Sequence, residues 1–168
     1  MNLVVREEAS GDVAAISAVT VAAFRNAAHS DHAEHLIVEA LREAGALVVS
    51  LVAEEAGVVV GHVAVSPVSI SDGSAGWYGL GPISVLPGLH RRGVGSLLMR
   101  GALRRLRERD AGGCVVLGDP AYYSRFGFAP EARLVLPGVP AQYFQVLALG
   151  ESAPSGVVTY HAAFRAQA

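Results

Sequence analysis

The stretch 83–96 reads Ile-Ser-Val-Leu-Pro-Gly-Leu-His-Arg-Arg-Gly-Val-Gly-Ser, a strand passing through a tight turn into the start of a helix. Its chemistry is that of an anion site. The first turn of a helix carries N–H groups with no intrahelical acceptor and a partial positive charge. Glycine at Gly93 and Gly95 lets a phosphate approach that backbone without meeting a Cβ, and Arg91 and Arg92 bring further cations to the same place. Taken alone, Gly-x-Gly describes a plain strand-to-helix turn equally well. Two better-known phosphate motifs are missing. A dinucleotide fingerprint needs a third glycine at position 98, where Leu98 stands, and a P-loop needs a lysine, which this chain lacks.

Pro82 stands within the strand leading to this turn. Its missing N–H makes a bulge or a break in the ladder expected, and the freed backbone groups suit an extended, amide-rich ligand; an edge position explains the same proline. Further on, the run 119–128 reads Asp-Pro-Ala-Tyr-Tyr-Ser-Arg-Phe-Gly-Phe. Beside Phe126 and Phe128, the adjacent Tyr122 and Tyr123 can simply fill a core. Cys114, between Gly113 and Val115, reads as an inert core thiol rather than an acyl carrier. His29, Asp31, His32 and His35 cluster, but without cysteine partners or a second ligand pair they read as a helix-start loop, and no metal is expected. His62 is a candidate base on a strand. The general base is left unassigned.

The elements around these residues follow from periodicity. Residues 3–6 form a β-prone run, and Asp12 is placed to cap a helix through Val13, Ile16, Val19, Ala23 and Phe24. Asp31 and Glu34 have the spacing of a capping box ahead of a second helix with Leu36, Ile37, Ala40, Leu41 and Ala44 on one face, ended by Gly45. Residues 47–53 and 58–65 read as a hairpin, and 77–86 as a third strand. Residues 93–109 form a helix whose Val94, Leu97, Leu98, Ala102 and Leu106 share a face, stopped by Gly112 and Gly113. A strand at 114–117, a brief helix at 121–125 and closing strands at 144–149 and 156–163 complete the chain. No repeat or linker divides it, so residues 1–168 are read as one domain.

The composition is 52% hydrophobic and 17% charged, but the apolar stretches are short and none reaches the roughly 20 residues of a membrane span. The first residues lack a secretory pattern and there is a single cysteine, so a cytoplasmic location and no membrane association are expected. A formal net charge of -2 offers nucleic acid no general attraction. The charges are nonetheless unevenly spread: eight of the thirteen arginines fall in 91–125, a local basic region suited to a small phosphate-bearing ligand.

Residues 83–98 resemble the coenzyme A-binding segment of the GNAT superfamily of N-acetyltransferases, with its Gln/Arg-x-x-Gly-x-Gly/Ala pattern. Residues 119–128 are similar to that family's second motif, in which a tyrosine, here Tyr123, precedes an apolar residue, Gly and Phe. The element order also agrees, so the resemblance spans nearly the whole chain. It is strongest to small bacterial acetyltransferases with a Gly-Asp-Pro-x-Tyr-Tyr run and a C-terminal Phe-Gln-Val-Leu segment. The resemblance implies an α/β (α+β) fold with a mixed, mostly antiparallel sheet of six to seven strands and about four helices. It implies transfer of acetyl from acetyl-CoA to a primary amine by direct attack in a ternary complex. The backbone of Ile83, Ser84 and Val85 would pair with pantetheine; Arg91, Arg92, Gly93, Val94, Gly95 and Ser96 would hold the pyrophosphate; Tyr123 would protonate the departing thiolate. Two positions depart from the pattern. His90 replaces the usual Gln or Arg, and Val116 replaces an asparagine common seven residues before the tyrosine, a contact that the turn at 118–120 can supply instead. The amine, small molecule or peptide, is not specified, and a homodimer is left open. Two rival readings are a regulatory module that holds coenzyme A without transfer, and an acyltransferase using another acyl group.

Overall fold

The computed structural model describes residues 2–167. Strands β1 (Leu3–Glu7), β2 (Val49–Glu55), β3 (Val58–Ile70) and β4 (Trp77–Val85) pair antiparallel in sequence order. β5 (Gly113–Leu117) joins β4 in parallel, and β7 (Phe144–Ala148) closes that edge antiparallel to β5. β8 (Gly156–Tyr160) pairs with the far end of β3 and with the two-residue β6 (Leu134–Val135). Among the described residues there are thus eight strands rather than six to seven, mostly antiparallel as expected, the two-residue β6 being too short to show a period.

Helices α1 (Val13–Phe24) and α2 (Glu34–Glu43) cover one face, where Ile16 and Val38 pack on Val52 and Ala64. α3 (Val94–Glu108) covers the other. Its Val94, Leu98, Met99, Ala102, Leu103 and Leu106 are buried against Leu51, Val63 and Val65, which point to that face because strand side chains alternate. α4 (Pro120–Tyr123) is a single turn capped by Asp119, whose carboxylate accepts from Ala121 N–H at 2.9 Å. β3 continues past residue 65 because its last residues, 68–70, pair with β8 rather than β4.

Three local expectations are corrected. Asp12 does not cap α1: its carboxylate turns back to Ala9 N–H at 2.6 Å and to Arg6 at 2.7 Å, because the arginine on β1 is a stronger partner than helix amides. Asp31 and Glu34 form no capping box, since Asp31 accepts from Ala33 N–H at 3.1 Å in a turn and Glu34 takes the Ser30 hydroxyl, so α2 starts only at Glu34. The last strand ends at Tyr160, and residues Ala162–Arg165 form a 3₁₀ turn seeded by His161, whose Nδ1 accepts from Ala163 N–H.

Candidate active site

The pairing of β4 with β5 stops at Gly79 and Val115, and beyond that point the two parallel strands diverge. Opposite, Val63 pairs with Ile83 and Val65 with Leu80, so Gly81 and Pro82 face the single residue Ala64 and form the bulge that Pro82 foretold. The edge of β4 turned toward β5 is thus left without a ladder over its last residues. A cavity of about 830 Å³ opens there, within the range of small-ligand sites. Ile83, Val85, Leu89, His90, Gly93, Gly95 and Ser96 line one side; Asp119, Tyr122 and Arg125 another; Ala23, Phe24 and Ala27, at the end of α1, a third.

The loop from β4 to α3 needs unusual backbone. Arg91 and Gly93 both take left-handed conformations, with φ of 66° and 84°, which folds the chain tightly ahead of the helix. The first intrahelical bond runs from Leu97 N–H to Gly93 C=O at 3.1 Å, so the N–H groups before it have no acceptor within α3 and point along the helix axis. Gly95 also leaves room for its neighbour: a Cβ there would stand 2.7 Å from the Tyr122 hydroxyl, so the tyrosine would have to shift to admit it. His90, at the position where the pattern has Gln or Arg, places Nε2 3.2 Å from the Val85 carbonyl, a hydrogen bond across the turn in the Nε2–H tautomer.

Most of the residues singled out from sequence meet here. Ile83, Val85, Arg91, Gly93, Gly95 and Ser96 all line the cavity. Three do so by side chain not at all: Ser84 faces α1, its hydroxyl 3.5 Å from that of Thr20; Val94 is buried in the core; Arg92 is exposed outside the lining. Tyr123 is also set back. It is buried, its ring edge-on to Tyr122 at 5.0 Å and to Phe128 at 6.1 Å, and Gly118 lies so close against it that a Cβ there would come within 2.6 Å. Burial, with the negative charge of Asp119 nearby, pushes the Tyr123 phenol up to about 12. Tyr122 is half-buried on the cavity wall and is also raised, chiefly by burial. Cys114 is buried and pushed up to about 12 by burial, which keeps it a thiol and a poor nucleophile.

Sequence reasoning missed Arg125, which donates to Ser96 Oγ at 2.9 Å and lies over the Tyr122 ring at 5.0 Å; its place in the same run as Tyr123 was the available signal. It also missed Gln145. Opposite Val116 in the β5–β7 register, Gln145 buries its amide and donates to Gly118 C=O at 3.3 Å, putting a polar group beside the asparagine-less position. His62 lies under α1, fully buried, and does not reach the cavity lining. Among the described residues no group of three or more His, Cys, Asp or Glu is placed to hold a metal, and no helix is long and apolar enough to cross a membrane.

Residues 13–128 match the acetyltransferase (GNAT) family, and the chain belongs to that family of acyltransferases. It is 37% identical to the uncharacterized N-acetyltransferase YhbS of Escherichia coli K12, over 96% of this chain and 98% of that one. Among solved structures, a GNAT family acetyltransferase from Brucella melitensis in complex with acetyl-CoA superposes with a TM-score of 0.86 at 51% identity, covering 97% of this chain and 98% of the other. The E. coli YhbS structure, in complex with CoA, superposes with a TM-score of 0.88 at 34% identity, covering 99% and 93%.

Proposed function

We propose that the protein transfers the acetyl group of acetyl-CoA directly to a primary amine. The observation that carries this reading is the divergence of β4 from β5 beside the open N-terminus of α3. It leaves unpaired strand edge and unpaired helix amides around one cavity, a fit to an extended amide chain ending in a pyrophosphate. The similar B. melitensis and E. coli proteins carry acetyl-CoA and CoA.

In this reading the backbone of Ile83, Ser84 and Val85 holds pantetheine, and its N–H groups near Val85 stabilise the oxyanion that develops on the thioester carbonyl. The buried or outward side chains of Ser84 and Val94 are then no obstacle, because both residues act through their main chain. Arg91, Gly93, Gly95 and Ser96 hold the pyrophosphate, with Arg92 adding charge from outside. Tyr123 keeps its proton until the thiolate leaves and then donates it.

The amine must arrive uncharged, which costs a lysine-like group roughly 4.6 kcal/mol at pH 7. We place the acceptor at the α1–α2 side, where a second cavity is lined by Val21, Phe24, Arg25, His32, Glu34 and His35. Phe24 borders both cavities, so an amine bound there has a short path to the thioester. The whole chain acts as one domain, and its single free thiol suits the reducing cytoplasm.

The test is release of free thiol from a panel of acyl-CoA donors, with and without a broad set of amines followed by mass spectrometry. Acetyl-CoA turnover dependent on an amine is expected. Binding without turnover would point to a regulatory module, and preference for another donor would replace the acetyl group in this reading.

A further inference from the structure

Arg100, Arg104 and Arg107 lie at i, i+4 and i+7 on α3 and share one face of the helix. With Leu103 they form one wall of a groove of about 330 Å³, whose other wall is Arg125 and Phe126 from the turn after α4. No carboxylate lines this groove. Among the described residues none of its four arginines is ion-paired, whereas Arg105, next in sequence but turned elsewhere, is matched by Glu7 and by Glu108. Arg100 and Arg125 instead rest over the Phe126 ring at 5.4 and 5.5 Å.

Guanidinium groups stay charged at any working pH, and like charges spaced four apart on a helix repel. A groove built this way is at its lowest energy with an anion in it. It is also continuous with the coenzyme A cavity, because Arg125 lines both and bonds Ser96 in the first turn of α3.

We infer that the near end of this groove binds the 3′-phosphate of coenzyme A, so that the donor is recognised at two separate phosphate centres. The inference rests on the coenzyme A reading above. A phosphate monoester carries close to two negative charges at pH 7 and presents three acceptor oxygens, which suits several arginines converging from two walls. The 3′-phosphate and the pyrophosphate hang from one ribose, so the second centre must lie close to the first. At 1.5 Å per residue, Arg100 starts about 6 Å and Arg104 about 12 Å along the axis from Ser96, and helical side chains lean back toward the N-terminus. Arg107 starts about 16 Å away and lies outside that reach.

Calorimetric titration with CoA and with 3′-dephospho-CoA tests this on the wild type and on Arg100→Ala, Arg104→Ala and Arg107→Ala. The wild type is expected to bind CoA at least about tenfold more tightly than the dephospho form, the usual size of charge-assisted contacts. That gap closes substantially in Arg100→Ala, partly in Arg104→Ala, and persists in Arg107→Ala. Equal affinity of the wild type for the two nucleotides overturns the inference and leaves the coenzyme A reading standing. An equal loss in all three variants overturns it in favour of a diffuse basic field. Binding of inorganic phosphate to the CoA-saturated protein that Arg100→Ala abolishes overturns it as well, because the near end would then be vacant with the donor in place. Failure of both nucleotides to bind overturns the coenzyme A reading and this inference together.

Discussion

Tyr122 and Tyr123 are adjacent in sequence, yet their hydroxyls meet different surroundings. Successive residues of a helix are about 100° apart, so on the short α4 only Tyr122 falls on the cavity wall while Tyr123 turns inward against Gly118 and Phe128. Which phenol faced the site was illegible in the run Tyr-Tyr itself, because it depends on how a one-turn helix is rotated on the sheet. The proposed acid is still Tyr123, whose burial keeps it protonated. For Tyr123→Phe, turnover is expected to fall by about 10² to 10⁴ with near wild-type coenzyme A affinity, measured where chemistry limits the rate. A wild-type rate would make Tyr123 a packing residue, and a loss in Tyr122→Phe instead would move the acid to the cavity wall. The pH profile adds a check. With the Tyr123 phenol at about 12, loss of this acid cannot produce a fall in turnover below pH 10.

At the scale of elements, α3 was the most legible part of the chain, because its apolar residues recur at helical spacing and its ends carry glycines; it was found one residue inside each expected end. The β4–α3 loop was legible as a tight strand-to-helix turn for the same reason, its glycines at 93 and 95. What could not be read was the partner of each strand. β8 joins the end of β3 rather than β7, a pairing made by residues about ninety apart in sequence that no local pattern records. Gly95→Glu is expected to abolish coenzyme A binding in calorimetry, since the carboxylate would stand among the free amides and displace Tyr122. Retained affinity in a folded variant would remove the anion site. Arg91→Ala should weaken binding more than Arg92→Ala, because only Arg91 lines the cavity, and added salt should shrink both effects. A close approach marks the first pair of the β4–β5 ladder: at Gly113, paired with Trp77, a Cβ would meet the indole and come within 2.6 Å of the Leu147 carbonyl. Gly113→Ala should therefore destabilise the fold by about 1–3 kcal/mol in urea unfolding.

Across the whole molecule, a row of polar groups, buried at His62 and half-buried beyond it, runs beneath α1 and α2 and ties the helices to the sheet. His62 on β3 sits fully buried with Nε2 2.8 Å from Ser50 Oγ on β2; Ser50 donates to Glu8 just after β1; and Arg42 on α2 donates to Glu8 at 2.9 and 3.0 Å. Burial lowers the His62 imidazole to about 4, with Glu8 opposing and Arg42 reinforcing the shift. Burial alone would raise the Glu8 carboxyl, but the bonds from Arg42 and Ser50 outweigh it and hold it below the usual carboxylate range. His62 is therefore neutral in the fold, and the sign of the linkage follows. Below pH 6.5 the unfolded chain takes up a proton at this histidine that the folded one refuses until about pH 4. The stability it contributes is complete above pH 6.5 and is lost on acidification, by up to about 3 kcal/mol at 1.36 kcal/mol per pH unit. Glu8 acts in the same direction only lower down, in the carboxylate range, so pH 6.5 to 5 separates His62 from Glu8. Urea unfolding across that window should show stability falling with pH in the wild type and a distinctly flatter dependence in His62→Gln, whose amide can still meet Ser50 without titrating. An equally steep fall in the variant would assign the acid sensitivity to other groups, and a flat wild-type curve would mean that His62 takes up its proton inside the folded protein.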